Sequence, residues 1–130
     1  MDDQLLAGKR VLVVEDEMLV MMAIEDMLAD LGCTSVTVAA NIEGALSTIA
    51  ANMFDLATLD VNLNGTRSYP IADALDARHI PFVFSTGYGE HGIDQGYGGH
   101  LVLNKPYSCT QFNRVVMDLL AEGETAATAR

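Results

Sequence analysis

The chain has 130 residues and a mass of 13.9 kDa, one domain's length, and half of its residues are hydrophobic, which excludes a disordered or low-complexity protein. Eighteen acidic residues against seven basic ones leave a formal charge of −11, which repels phosphate backbones and anionic lipid, so nucleic acid is excluded as a direct partner. No apolar run approaches the roughly 18 residues needed to span a bilayer.

Along the chain, short β-branched runs alternate with longer amphipathic stretches. Val11 to Val14 is continuously apolar, as a strand buried on both faces requires. Glu17 to Leu31 follows as a helix with Val20, Ile24, Met27, Leu28 and Leu31 on one stripe and Gly32 just past its end. Ser35 to Ala39 reads as a second strand, Ile42 to Ala51 as a helix capped by Asn41, and Leu56 to Leu59 as a third strand. A polar loop from Asp60 to Tyr69 leads to Pro70, which suits the first turn of a helix running to about Arg78. Phe82 to Phe84 is a fourth strand and Leu101 to Leu103 a fifth. Ser108 with Gln111 forms a capping box for a last helix that buries Phe112, Val115, Val116, Leu119 and Leu120.

Five strands alternating with helices predict a parallel sheet covered on both faces through right-handed crossovers. Residues 9–122 form the domain, with residues 1–8 as an N-terminal extension and 123–130, GETAATAR, as a fraying, flexible tail. The start MDDQLLAGKR is acidic where a signal peptide is basic, and a cytoplasmic, soluble chain is expected. Cys33 and Cys109 lack a second Cys or His at metal-ligand spacing, so both read as reduced, structural thiols. Asn64-Gly65-Thr66 matches a glycosylation acceptor but reads as turn chemistry.

Ligands of such sheets bind beyond the carboxyl ends of the strands. There the chain places Glu15-Asp16, Asp60, Ser85-Thr86 and Asn104-Lys105. Each is ordinary alone, an N-cap, a turn start or a surface amine, but they terminate four different strands. Three carboxylates meeting at one sheet edge resist ionisation unless a cation neutralises them, and a hard divalent ion with oxygen ligands is the economical choice. An ammonium and a hydroxyl at the same edge match the remaining oxygens of a phosphoryl group.

Taken together, VLVVEDE, LDVNLNG, FSTGY and NKPYS, in that order, resemble the response-regulator receiver domain of bacterial two-component signalling, over about Lys9 to Glu122. The resemblance implies a flavodoxin-like (βα)5 α/β fold with a five-stranded parallel sheet of order 2-1-3-4-5 and helices on both faces. It implies Asp60 as phosphoacceptor, Glu15, Asp16 and Asp60 as ligands of Mg2+ (Mn2+ as a substitute), and the Asn62 backbone carbonyl as a further ligand. Thr86 and Lys105 then contact the phosphoryl group, which comes from a histidine kinase or histidine phosphotransfer protein, or from a small acyl phosphate. Such a domain is not an enzyme in its own right. Without an effector domain, its output is contact with an unknown downstream protein or drainage of phosphoryl groups from a relay, and a monomer is expected.

The position three before the lysine, aromatic in many receivers, is Val102, so the usual aromatic switch is missing. Phe84-Ser85-Thr86-Gly87-Tyr88 instead resembles the Phe-Ala-Thr-Gly-Tyr signature of stand-alone receivers in alphaproteobacterial general stress signalling. Thr86, Gly87, Tyr88, Val102 and Tyr107 are therefore the expected switch positions, and the glycine-rich stretch from Gly87 to Gly99 the expected moving part. Met18 and Met22 lie opposite the buried stripe of the first helix and, with Tyr107, are expected to form the face that meets the phosphodonor. His79, His91 and His100 share no metal spacing and read as solvated or packing residues. Gly87, Gly89 and Gly92 spell a dinucleotide pattern without its acid downstream, and no P-loop is present. The alternatives are a receiver-like module that binds its partner unphosphorylated, or an aspartate-based phosphohydrolase, which needs a second aspartate where Asn62 stands.

Overall fold

In the computed structural model, residues 4–87, 100–105 and 107–128 are described, with side chains as far as Gly123. Tyr88, the rest of the glycine-rich stretch, His91 and Pro106 lie outside them. In chain order the elements are β1 (Arg10–Val14), α1 (Met18–Asp30), β2 (Ser35–Ala39), α2 (Ile42–Ala51), β3 (Leu56–Asp60), β4 (Asn62–Leu63), β5 (Thr66–Arg67), α3 (Tyr69–Ala77), β6 (Phe82–Thr86), β7 (Leu101–Asn104) and α4 (Cys109–Thr128).

The five long strands form one parallel sheet of order β2-β1-β3-β6-β7. This is the expected 2-1-3-4-5 order, because β4 and β5 form a separate hairpin. Alternate residues of each strand feed opposite cores. Leu12, Val14, Leu59 and Phe84 pack with Ile49 of α2 and Leu75 of α3, whereas Val11, Val13, Leu56 and Val83 pack with Ile24 and Leu28 of α1 and Phe112 and Val116 of α4. Chain reversal lies at the β1–β3 boundary of the sheet, where β1 is flanked by β2 on one side and β3 on the other. That is the place at which such a fold opens a crevice beyond its strand ends.

Local signals act as expected. The Asn41 side chain accepts from the Gly44 amide at 2.7 Å, and Gly32 ends the first helical segment with φ of 83°. Ser108 and Gln111 cap α4 reciprocally at 2.8 and 3.1 Å. Pro70 sits in the first turn of α3.

Four readings are refined or changed. The loop after Asp60 holds a hairpin, turned by Asn64 and Gly65 with φ of 52° and 87°, the two positive values that a tight hairpin turn needs. The N-terminal extension is tied down at Leu6, which is fully buried in the core shared with α1 and whose amide donates to the Leu31 carbonyl at 2.8 Å. The backbone of α4 stays helical to Thr128, past the boundary drawn at Glu122, because glutamate and alanine favour helix even where little apolar surface remains to pack. Cys33 is buried, as a structural thiol should be, but Cys109 is exposed at the start of α4. Of the histidines, His79 is exposed with a left-handed backbone, and His100 packs its ring on Phe82 at 4.6 Å and pairs with Asp76 at 3.4 Å. Among the described residues, no helix is long and apolar enough to cross a membrane.

Candidate phosphoacceptor site

Two strand ends deliver the acidic residues. β1 runs straight into Glu15, whose amide donates to Ala39 and so extends the ladder by one bond. Asp16 follows, and Asp60 closes β3 one strand away. One carboxylate oxygen from each lies within 4.8 Å of the others, a spacing suited to a shared hard cation.

Continuing the β-alternation from Val13 and Leu56 puts Glu15 and Asp60 on the α1/α4 face. Glu15 is fully buried and Asp60 is 5% exposed. Lys105 bridges them: its Nζ is 3.0 Å from Glu15 Oε2 and 3.2 Å from Asp60 Oδ2. One ammonium does not neutralise three carboxylates. Burial, with Asp60 beside it, pushes the Glu15 carboxyl from the usual 4.5 up to about 8, against the pull of Lys105. The Lys105 ammonium is raised, because the two acids outweigh its own burial.

Backbone amides complete the anchoring. Asn62 N–H donates to Asp60 Oδ1 at 3.2 Å, Glu17 N–H to Glu15 Oε1 at 3.2 Å, and Asn64 N–H, at the hairpin tip, to Asp16 Oδ2 at 2.9 Å. The hairpin tip is itself held by Gly65 N–H donating to Asn62 Oδ1 at 2.7 Å. The Asn62 side chain is thus committed to the turn. Lys105 N–H donates to the Thr86 carbonyl at 2.8 Å, tying β6 to the lysine-bearing loop. These groups surround an open cleft of about 380 Å³ lined by Asp16, Asp60, Asn62, Thr86, Gly87 and Lys105 among others.

A second, apolar groove of about 420 Å³ lies along α1, lined by Leu19, Val20, Ala23, Met27, Lys105 and Tyr107. Lys105 is common to both. Met18 is 73% and Met22 52% exposed on the first turns of α1, beside a residue not singled out from the sequence, Leu19 at 82%. The structure therefore brings Asp16, Asp60, Asn62, Thr86, Gly87 and Lys105 to one cleft, with Glu15 buried beside Lys105 and Asp60, and Tyr107 to the adjoining groove. Val102 stands apart, packed half-buried against the α2/α3 core. Sequence reasoning missed the Asn64 amide on Asp16, although Asn-Gly between Leu63 and Thr66 was the available hairpin signal.

A carboxylate pinned among amides, a cation site and an ammonium is equipped to accept and hold a phosphoryl group. The sequence profile described as the response regulator receiver domain matches residues 11–116. The solution structure of SdrG from Sphingomonas melonis Fr1 is similar, with a TM-score of 0.76 and 39% identity over 88% of this chain and 95% of that one. The BeF3-activated conformation of SdrG from Pseudomonas melonis Fr1 gives 0.76 and 40%, over 88% and 98%. The receiver domain of the sensor histidine kinase PA1611 from Pseudomonas aeruginosa PAO1, which holds a magnesium ion in its active-site cleft, shares the fold at 24% identity and a TM-score of 0.76 over 88% and 99%. No curated protein matches.

Proposed function

Because this chain belongs to the response regulator receiver family, we propose that it is a phosphoacceptor that takes a phosphoryl group onto Asp60 from a histidine kinase or histidine phosphotransfer protein. The observation that carries the reading is the placement of the nearly buried Asp60 between a three-carboxylate cluster and the Lys105 ammonium. Asp60 Oδ attacks the phosphorus of the donor, the bond to the donor nitrogen breaks, and the acyl phosphate keeps the negative charge that Lys105 and Thr86 receive.

Glu15, Asp16, Asp60 and the Asn62 carbonyl are the residues that would hold Mg2+, with Mn2+ as a substitute. The oxygen-only donor set and its excess charge fit a hard cation. Bound there, the ion supplies charge neutralisation for the phosphoryl oxygens. The chain's own part is to keep Asp60 oriented through the Asn62 amide, to present the ammonium, and to keep Asp16 in place through the hairpin.

The domain signals rather than turns over substrate. The commitment of the Asn62 side chain to Gly65 supports this over a phosphohydrolase, which needs a free acid–base group at that position. The exposed methionines with Leu19, and the groove along α1 that ends at Tyr107, are the face offered to the phosphodonor. The Phe84-Ser85-Thr86-Gly87-Tyr88 motif supports a place in alphaproteobacterial general stress signalling.

The test is intact mass after incubation with acetyl phosphate and magnesium, and then with a phosphohistidine donor. One base-labile phosphoryl adduct is expected, absent from Asp60→Asn and from metal-free samples. An adduct that survives in Asp60→Asn, or none with either donor, overturns the reading.

A further inference from the structure

Asp60 pairs with Ser85 in the parallel ladder, and Ser85 pairs with Leu103, two residues before Lys105. Counting in twos from Leu56 and Val83 puts the Asp60 and Ser85 side chains on the same face of the sheet, the one covered by α1 and α4. Lys105 therefore reaches Asp60 across the end of β6, over the strand end that carries Ser85. Ser85 is 2% exposed, and its hydroxyl has no hydrogen-bond partner among the described residues.

The same is true of the Tyr107 hydroxyl, which is buried although the residue lies on the loop after Lys105. Its ring is held by stacking on Phe112, with centroids 6.1 Å apart and 14° between planes. Burial raises the Tyr107 phenol, and the Ser85 hydroxyl is the foremost influence pulling it back. Tyr107 packs against the same α1/α4 core whose face carries Ser85, so the two unbonded hydroxyls are buried on one side of the sheet end. A buried hydroxyl left unbonded is costly, whereas one hydrogen bond between two of them relieves both.

We propose that Ser85 and Tyr107 form a hydroxyl clamp that positions the Lys105 loop against β6 during phosphoryl transfer to Asp60. The inference rests on the phosphoacceptor reading given above. The Tyr107 O–H donates to Ser85 Oγ and fastens the loop two residues beyond the lysine. The Lys105 amide on the Thr86 carbonyl fastens it at the lysine itself. Held at both points, the ammonium is shared between Glu15 and Asp60 in a fixed manner, and Thr86, next to Ser85, keeps its place at the cleft. Both residues are positioning residues, since neither hydroxyl lines the cleft in which the phosphoryl group is received. The Phe-Ala-Thr-Gly-Tyr signature has alanine where Ser85 stands, so the clamp is a feature of this chain rather than of the signature it resembles.

The experiment compares Ser85→Ala, Tyr107→Phe and the double variant for the rate of adduct formation with acetyl phosphate at saturating magnesium. Each single change is expected to slow uptake about 3- to 10-fold, the effect of one neutral hydrogen bond, with magnesium affinity held within about twofold. The double variant is expected to be no slower than the slower single one, since the second hydroxyl has already lost its partner. Ser85→Thr, which retains a hydroxyl, is expected to restore uptake when Tyr107 is present and to give no gain over Ser85→Ala in the Tyr107→Phe background. Single effects that multiply in the double variant, or rates equal to wild type, overturn the clamp alone. A wild-type chain that gains no phosphoryl group from either donor overturns the phosphoacceptor reading and the clamp with it.

Discussion

Glu15→Gln is the change most diagnostic of the site's electrostatics. A carboxyl whose folded-state pKa lies above its unfolded value stabilises the fold while protonated and withdraws that help as it is forced to ionise. For Glu15 the contribution is whole below about 4.5 and falls through the interval up to about 8, beyond which it stays constant. At about 1.4 kcal/mol per pH unit, that interval sets a ceiling of about 5 kcal/mol, and about 2–4 kcal/mol is expected once relaxation around Lys105 is allowed. The amide has no proton to lose and keeps one oxygen, enough for the Lys105 ammonium or the Glu17 amide but not for both, since these bind different oxygens of the carboxylate; that loss shifts the variant's curve by a constant and leaves the pH dependence to report Glu15. Urea denaturation of both proteins in metal-free buffer from pH 5 to 9 isolates the effect, because the remaining acidic residues are common to both. The variant gains on the wild type by that amount between pH 5 and 8.5, and magnesium at pH 8.5 narrows the gap by stabilising the wild type more. Parallel stability curves would refute the placement of Glu15 as a buried acid forced to ionise beside Asp60.

Further outcomes follow from the packing and the turn. Leu6→Ala, at a fully buried position, is expected to cost about 2–4 kcal/mol in urea denaturation, where a loose terminal segment would cost nothing measurable. Gly65→Ala meets no neighbouring atom within 4 Å but forces alanine to φ of 87°, so it should cost about 1 kcal/mol. By loosening the turn that presents the Asn64 amide to Asp16, it should also weaken magnesium binding severalfold in a calorimetric titration. Met18→Asp with Met22→Asp should slow transfer from a phosphohistidine protein at least 10-fold while leaving uptake from acetyl phosphate unchanged; equal slowing with both donors would place the fault in the site rather than in docking.

The sheet was readable because buried parallel strands are written as uninterrupted apolar runs. Val11–Val14 carries that signature and Leu56–Leu59 carries it with one break at Thr58, and the residues that follow them become the site by topology alone. The caps at Asn41 and Ser108 were readable because the signal and its partner lie three residues apart. What could not be read is what depends on distance in space. Leu6 looks like any apolar residue in a polar start until the core shared with α1 closes over it. Asn64 donates to Asp16 from 48 residues away, through a backbone amide that every residue type has. Ser85 and Tyr107 are separated by a stretch of chain that gives no hint of their meeting. Cys109 misled because thiols are usually buried, and a helix start on the surface reverses that preference.

The two thiols differ in accessibility in a way an experimenter can exploit directly. Cys33 is buried and its pKa is raised by that burial, so it is a poor target for maleimides or disulfide reagents, while Cys109 is exposed in the first turn of α4. An unaltered chain will therefore accept one fluorophore or spin label at a defined place, two residues from Tyr107 and four from Lys105. Such a dye reports on the lysine loop in real time, without a cysteine-free background to build first.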